Sequence, residues 1–545
     1  MRLSSWRKAG SVAGAFFAPR HVTGTITPNL ISAGISTATV LVCCLMFSPQ
    51  LGLISMLGAM TTFWEADRPL WARVRNSLLV SGSLTLAMAA GVLVAPYGWA
   101  LVPFSALVIL VASVIYHAFL LTRGPSPVMV IYSAVIGAFF GADAQLGWRI
   151  VGVTLVASLL TSVFLLVPLV FSPHAPERRA LAHARIAVGT YRGLRGNGGG
   201  GEAQRLARDA ACQAVNNAWL TLHSAWPANR GLRHRELVED LASIQRGLAR
   251  AILKAQGDAR DLPELSTPAP AWGGRPGWRY LLGHALRAGS VEWFTSWRMA
   301  VAAGMAGLIS EAVGIGRPYW ALMAATIVIN QWTDRVAATR KAAHRTVGTL
   351  LGVGVVWVVS AAHPSPWSSA AVVVICMVGQ YLLLPLNYAL ALIAITPMAL
   401  LTVAAAAPGG SVTPLLAERA IDTVIGALSA VAVTWATSWV FPRRLVHSQS
   451  YRAAEAVAAV ERADEGGTPL SSESRRLRTQ LQYELTHHLN ILSRAVADDP
   501  RLADLASAEH AVADRGYGAL ARAWTIGASG PDPLKGGVWP IGSRD

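Results

Sequence analysis

The chain has 545 residues, of which 53% are hydrophobic and only 14% charged, and its mean hydropathy is +0.42. A soluble globular protein carries roughly 25% charged residues to meet water, so much of this surface is built to meet lipid, and a cytosolic enzyme, a disordered chain, collagen and a coiled-coil rod are excluded. The 46 Lys and Arg outnumber the 30 Asp and Glu, for a net charge of +16, and beside long apolar runs that excess reads as basic cytoplasmic loops rather than as nucleic-acid binding.

Residues 1–29 carry Arg2, Arg7, Lys8 and Arg20 around a weak apolar patch broken by Pro19. They read as a cytoplasmic interfacial segment rather than a cleaved signal peptide. A membrane span needs about 20 apolar residues, or about 17 at minimum. By that measure 30–171 holds six candidate spans, at 30–47, 51–64, 77–95, 99–121, 127–141 and 150–171, the second and fifth being short.

Residues 172–295 are polar, with 17 bases against 10 acids, and read as a helical cytoplasmic domain. Leu237, Leu241, Ile244, Leu248 and Ile252 mark one helical face, and the run Gly198 to Gly201 marks a flexible break. Six more spans are expected across 296–441, at 297–313, 318–332, 345–362, 367–384, 387–407 and 419–441. A helical cytoplasmic tail from 442 to 545 carries a second stripe, Leu477, Leu481, Leu485, Leu489, Leu492 and Val496, and packing between such helices is the expected role of both stripes.

Loop charge tests the count. With the N-terminus inside, the inner loops carry Arg68, Arg73, Arg75, Arg123, Arg335, Arg340, Lys341 and Arg345, and the outer ones only Arg149, Arg317 and Arg419. That asymmetry predicts both termini in the cytoplasm. Each half enters its third span through a Gly-hydroxyl pair, Gly82-Ser83 and Gly348-Thr349, which are 348 − 82 = 266 residues apart. Six spans per half is an even number, so the halves are expected to be parallel repeats, related by an axis along the membrane normal. The predicted fold class is an all-α membrane protein of about twelve transmembrane helices in two six-helix repeats, each followed by a helical cytoplasmic segment.

The stretch richest in signals runs from Arg317-Pro318-Tyr319-Trp320 through Asn330 and Asp334-Arg335 to Arg345-Thr346-Val347-Gly348-Thr349-Leu350-Leu351-Gly352. Gly348 and Gly352, four apart, let another helix approach closely. Arg345 stands at the expected start of its span, where a charge either snorkels to headgroups or faces a polar cavity, and the adjoining Gly-Thr pair favours the cavity. The carboxylates Glu65, Asp67, Glu311, Asp334 and Asp422 all stand near predicted span ends, so no mid-membrane proton carrier is expected. Pro397 beside Thr396 reads as a kink. The four cysteines have neither disulfide nor metal spacing. His487-His488 lacks a carboxylate partner, no phosphate-binding loop occurs, and neither an enzyme nor a bound cofactor is expected.

A "PYW" opening one span and an "R-x-x-G-T-x-x-G" opening the next, within a duplicated layout covering nearly the whole chain, resemble the fusaric acid resistance-like family, relatives of aromatic acid exporters and more distantly of plant malate channels. The first half departs from the motif, since Leu79 stands where the offset places Arg345 and Ile54 where it places Trp320. The resemblance implies a multi-pass plasma-membrane transporter exporting organic anions, aromatic carboxylates in particular, and a homodimer is compatible with it. The lipid bilayer and a small organic anion are the expected partners. Arg335, Arg340, Lys341 and Arg345 form a basic vestibule that concentrates anions, with Trp320, Asn330, Asp334 and Thr349 along the path and Gly348 and Gly352 as packing residues. A passive anion channel, or a membrane scaffold whose cytoplasmic helices bind a partner, remain the alternatives.

Overall fold

Long apolar runs become helices because lipid offers no hydrogen bonds, so each backbone must satisfy itself. The computed structural model describes residues 16–19, 26–65, 68–119, 127–143, 146–196, 201–224, 232–257, 274–314, 317–330, 334–362, 365–406, 412–439, 441–465 and 471–525. All regular structure among them is helical. Most of the expected N-terminal interfacial segment and the glycine run at 198–200 lie outside the described residues.

In chain order the first apolar half forms α1 (Ile26–Met46), three short pieces α2 (Pro49–Ile54), α3 (Met56–Ala59) and α4 (Thr62–Glu65), then α5 (Leu70–Val94), α6 (Leu101–Ala118), α7 (Val128–Phe140), α8 (Gly147–Phe164) and α9 (Val167–Phe171). The polar stretch forms α10 (Ala175–Gly196), α11 (Glu202–Ser224), α12 (Leu232–Ala255) and α13 (Trp278–Ala285). The second apolar half forms α14 (Val291–Val313), α15 (Tyr319–Ile329), α16 (Arg335–Ala361), α17 (Pro366–Leu383), α18 (Tyr388–Ala406) and α19 (Val412–Thr437). The tail forms α20 (Phe441–Glu465), α21 (Ser472–Asp498) and α22 (Ala506–Thr525).

Eight helices among the described residues are long and apolar enough to cross a membrane: α1, α5, α6, the α8–α9 run, α16, α17, α18 and α19. The protein is therefore a multi-pass membrane protein. Four of the twelve expected spans are not among the eight. The stretch 51–64 is broken into α2, α3 and α4, and α7 and α15 have only 13 and 11 residues. The fourth, 297–313, lies on α14, where Arg298 and Glu311 interrupt the apolar run. Residues 52–62 are buried throughout, and a helix can break at membrane depth where protein rather than lipid meets the freed backbone groups.

The chain divides into two compact units. The membrane unit joins both apolar halves, 1–66, 74–167 and 292–439. Its core draws Ile109 and Ile131 from the first half together with Trp320, Met377 and Ala430 from the second. Apolar side chains also point outward, with Leu86 72% exposed, Ile375 70% and Leu428 64%. At about 25 cal/mol per Å2 of apolar surface, such faces are stable only against lipid or another protein.

The second unit holds 67–73, 168–291 and 440–545, two polar segments far apart in sequence. Leu241, Leu248 and Ile252 from α12 share one core with Leu481 and Leu485 from α21 and with Trp219, Tyr517 and Trp524, so the two predicted stripes pack in the same core. Glu484, in the same unit, is wholly buried. The Tyr280 hydroxyl donates to its Oε1 at 2.6 Å and the Gln449 amide to its Oε2 at 2.6 Å. His284 and Arg452 approach at 3.5 and 3.7 Å. Burial alone would raise this carboxyl, but the hydrogen bonds of His284, Tyr280 and Gln449 hold it below the usual carboxylate range.

Candidate functional site

Four helices of the membrane unit meet in two pairs at close crossings that glycine permits. A Cβ on Gly348 of α16 would stand 2.5 Å from the Ala389 carbonyl and 2.7 Å from the Leu392 Cβ, both on α18. On Gly352 it would stand 2.6 Å from the Thr396 Cβ. On Gly426 of α19 it would stand 2.4 Å from the Ala321 carbonyl of α15. Helices this close bring their neighbouring side chains into a shared interior.

Arg345 enters that interior. Helix α16 begins at Arg335, ten residues before the expected span start, so Arg345 is well inside it, roughly 15 Å along the axis at 1.5 Å per residue. It is 2% exposed, and its Nη1 donates to the Tyr388 hydroxyl of α18 at 3.0 Å. Tyr132 of α7 also faces it. Its Nε and Nη2 have no hydrogen-bond partner.

A second buried guanidinium lies beside the first. Arg419 of α19 is 1% exposed and feels the Arg345 charge directly. It sits 4.0 Å over the ring centroid of Trp320, which is 3% exposed on α15. A ring face attracts a cation, but the Nε and Nη1 of Arg419 have no partner, and neither has the indole Nε1 of Trp320. One turn further along α19, Asp422 is 0% exposed. Its Oδ1 accepts from the Ser310 hydroxyl of α14 at 2.5 Å, and its Oδ2 has no partner.

The expectation that Asp422 stands near a span end is thus corrected, as is the placing of Arg419 in an outer loop. Helix α19 starts at Val412, seven residues before the expected span, with Pro414 tolerated in its first turn. Charges that face protein need not end a helix in the way charges facing lipid do.

The other predicted residues divide. Thr349, one turn beyond Arg345, is 0% exposed with its Oγ1 unpartnered. Lys341, one turn before Arg345, is half-buried. Asn330 follows the end of α15, half-buried with its Oδ1 unpartnered. Asp334 caps α16 by accepting from the Ala337 amide at 2.7 Å, a helix-starting role. Arg335 lies 5.5 Å over the rings of both Trp435 and Trp439. Arg340 is exposed. The structure brings Trp320 and Arg345 to Arg419, keeps Thr349 buried one turn from Arg345, and leaves Asp334, Arg335 and Arg340 at the start of α16.

Sequence reasoning did not single out Tyr388, Tyr132 and Ser310, and it weighed Arg419 and Asp422 only as a loop charge and a span-end carboxylate. A signal for two of them existed. Arg345-x-x-Gly348-Thr349-x-x-Gly352 recurs as Arg419-x-x-Asp422-Thr423-x-x-Gly426, with arginine, threonine and glycine at the same spacing.

Two buried guanidiniums with four unpartnered nitrogens are costly unless an anion joins them, since an unpaired buried ion carries a penalty of several kcal/mol. A carboxylate matches the guanidinium fork with two parallel hydrogen bonds. Among the described residues no His, Cys, Asp and Glu side chains gather in threes as for a metal.

No curated protein and no solved structure matches the chain. Residues 305–433 match the model of the family described as fusaric acid resistance protein-like. That stretch contains Trp320, Arg345, Tyr388, Arg419 and Asp422, both arginine motifs and the three close glycine crossings, so the part of the chain that holds the site is similar to the fusaric acid resistance protein-like family.

Proposed function

We propose that this membrane transporter resides in the plasma membrane and exports organic anions, aromatic carboxylates in particular, from the cytoplasm. One observation carries the reading: Arg345 and Arg419 are both buried with unpartnered nitrogens, Arg419 against the ring of Trp320 and Arg345 bonded to the hydroxyl of Tyr388. A guanidinium pair supplies the carboxylate grip, and the aromatic walls accept a flat ring. Arg335, Arg340 and Lys341 raise the local anion concentration at the start of α16, and Thr349 and Asn330 offer hydroxyl and amide groups along the path.

The reading includes twelve crossing segments in two parallel repeats, with the short α2–α4, α7 and α15 crossing as buried elements. Spacing supports it. Adding 266 to α5, Leu70–Val94, gives 336–360 beside the observed 335–361 of α16. The same shift carries α1 to 292–312 and α6 to 367–384, each within one residue of α14 and α17 at either end. The loop charges support both termini in the cytoplasm.

The test is export of benzoate and cinnamate from loaded cells with and without the gene, against benzamide, which keeps the ring and lacks the charge. Expected is gene-dependent export of the two acids and none of benzamide. Export that stops at the distribution set by the membrane potential marks a passive channel. Equal export with and without the gene overturns the reading.

A further inference from the structure

We propose that Asp422 is the proton-carrying group of the anion site: it takes up a proton as the anion binds, so that anion and proton move in the same direction. The inference rests on reading Arg345 and Arg419 as that anion site.

The geometry points to linkage between the two. Asp422 follows Arg419 by three residues, and side chains at that spacing share one helix face. The carboxyl is 0% exposed, so its charge acts on its neighbours unscreened by water. Its Oδ1 is held by Ser310 at 2.5 Å, while Oδ2 is buried without a partner. That free oxygen is where a proton would sit. No ion pair joins it to Arg419, whose Nε and Nη1 stay unpartnered.

The groups facing Asp422 define the sign. From α14 comes the neutral Ser310, and from its own helix Arg419 and Glu418, the latter engaged with Arg317 at 2.9 Å. Around Arg419 stand Arg345 from α16, Tyr388 from α18, Tyr132 from α7, and Tyr319 and Trp320 from α15. With the carboxylate ionised, one of two positive charges is already opposed. A second negative charge, brought by the anion, disfavours the ionised form of Asp422, because like charges do so. Linkage is reciprocal, so a protonated Asp422 favours the anion by the same factor. The proton stays on Oδ2 while the anion is bound and leaves when it departs.

The test uses the full-length protein purified in detergent and titrated with benzoate, at pH values where benzoate is fully ionised, by calorimetry in buffers of different ionisation heat. Expected is proton uptake that rises toward one per benzoate at one pH and falls on either side, with affinity changing by at most about tenfold per pH unit. Asp422→Asn, a neutral isostere, is expected to bind benzoate at least as tightly as wild type at every pH and to take up no proton. Ser310→Ala removes the hydroxyl that stabilises the ionised form and is expected to move the uptake maximum to higher pH, which keeps the test decisive if Asp422→Asn does not accumulate. Benzoate binding without uptake, uptake that survives in Asp422→Asn, or an unmoved maximum in Ser310→Ala overturns the proposal and leaves the anion site standing. Failure of wild type to bind benzoate, or equal binding by Arg419→Ala, overturns the anion site itself and the coupling with it.

Discussion

Two of the charged clusters buried among the described residues are finished in opposite ways. Around Glu484 in the second unit, both carboxylate oxygens accept hydrogen bonds, two basic side chains stand within 3.7 Å, and the Gln449 carbonyl oxygen is itself taken by Arg452 at 2.6 Å. Around Arg345 and Arg419 in the membrane unit, four guanidinium nitrogens and one carboxylate oxygen are left without partners. A fully satisfied network rigidifies a fold, whereas a half-satisfied one is a standing cost. The first cluster is architecture, and the second is the one we propose a ligand completes.

The two halves of the membrane unit repeat the contrast on a smaller scale. At the offset of 266, Leu79, Val153 and Val156 stand where the second half has Arg345, Arg419 and Asp422. Gly82 has nothing within 4 Å of a built Cβ, while Gly348 is crossed by α18. The first half places its tight crossing elsewhere, where Gly91 of α5 meets the Ala134 carbonyl of α7 at 2.1 Å from a built Cβ. Matching helix lengths therefore need not carry matching chemistry.

The largest expected effect breaks the satisfied cluster. Glu484→Ala leaves the Tyr280 hydroxyl and the Gln449 amide without their acceptor and Arg452 without its opposite charge, and removing one partner of a buried pair costs about 3–5 kcal/mol. The second unit should lose its resistance to proteolysis. The same group predicts a pH dependence. Its folded carboxyl lies below its unfolded value, so its contribution is present above the ordinary carboxylate range and fades as pH falls through the lower folded value. Thermal unfolding of Glu484→Gln, which cannot ionise, should lack that acid-side loss.

Arg419→Ala and Arg345→Ala should do the reverse, sparing the fold and removing function. A charge-assisted hydrogen bond is worth about 1.5–3 kcal/mol, or roughly 10- to 100-fold in binding. Benzoate export should fall by that order at normal membrane levels, with the exposed Arg75→Ala as a neutral control. Unchanged export by both alanine variants would put the two clusters on an equal, structural footing.

Gly348→Leu against Gly82→Leu sharpens the comparison of halves. Overpacking typically costs about 1–3 kcal/mol, so the first variant should accumulate poorly and unfold earlier in detergent, and the second should behave as wild type. Equal accumulation of the two would mean that α16 and α18 do not cross where Gly348 stands. The smallest effect is expected of Arg345→Lys, which keeps the charge and loses the planar fork. It should retain a measurable part of the flux that Arg345→Ala loses.

Periodicity and hydropathy made the helices legible, because an apolar run must close its own hydrogen bonds whatever it packs against. Trp320, Arg345, Thr349 and the Gly348–Gly352 pair were legible because their motif is dense. Asp422 and Arg419 were not, since a hydropathy reading stops a span at the first charge. It cannot see that these charges turn toward α14 and α15 rather than lipid. The capping bond of Asp334 to the Ala337 amide was not legible either, as it needs the helix start at 335 to be known.

By itself, then, the sequence determined that this chain meets lipid, where its polar segments lie, and that one stretch near 345 is chemically dense, because these follow from composition and local spacing. Tertiary structure alone decided that residues 74 positions apart, Arg345 and Arg419, share one interior with the ring of Trp320, and that the segment 51–64 breaks into three. Both outcomes depend on which faces other helices cover, and coverage is set by packing among distant segments rather than by any local run of residues.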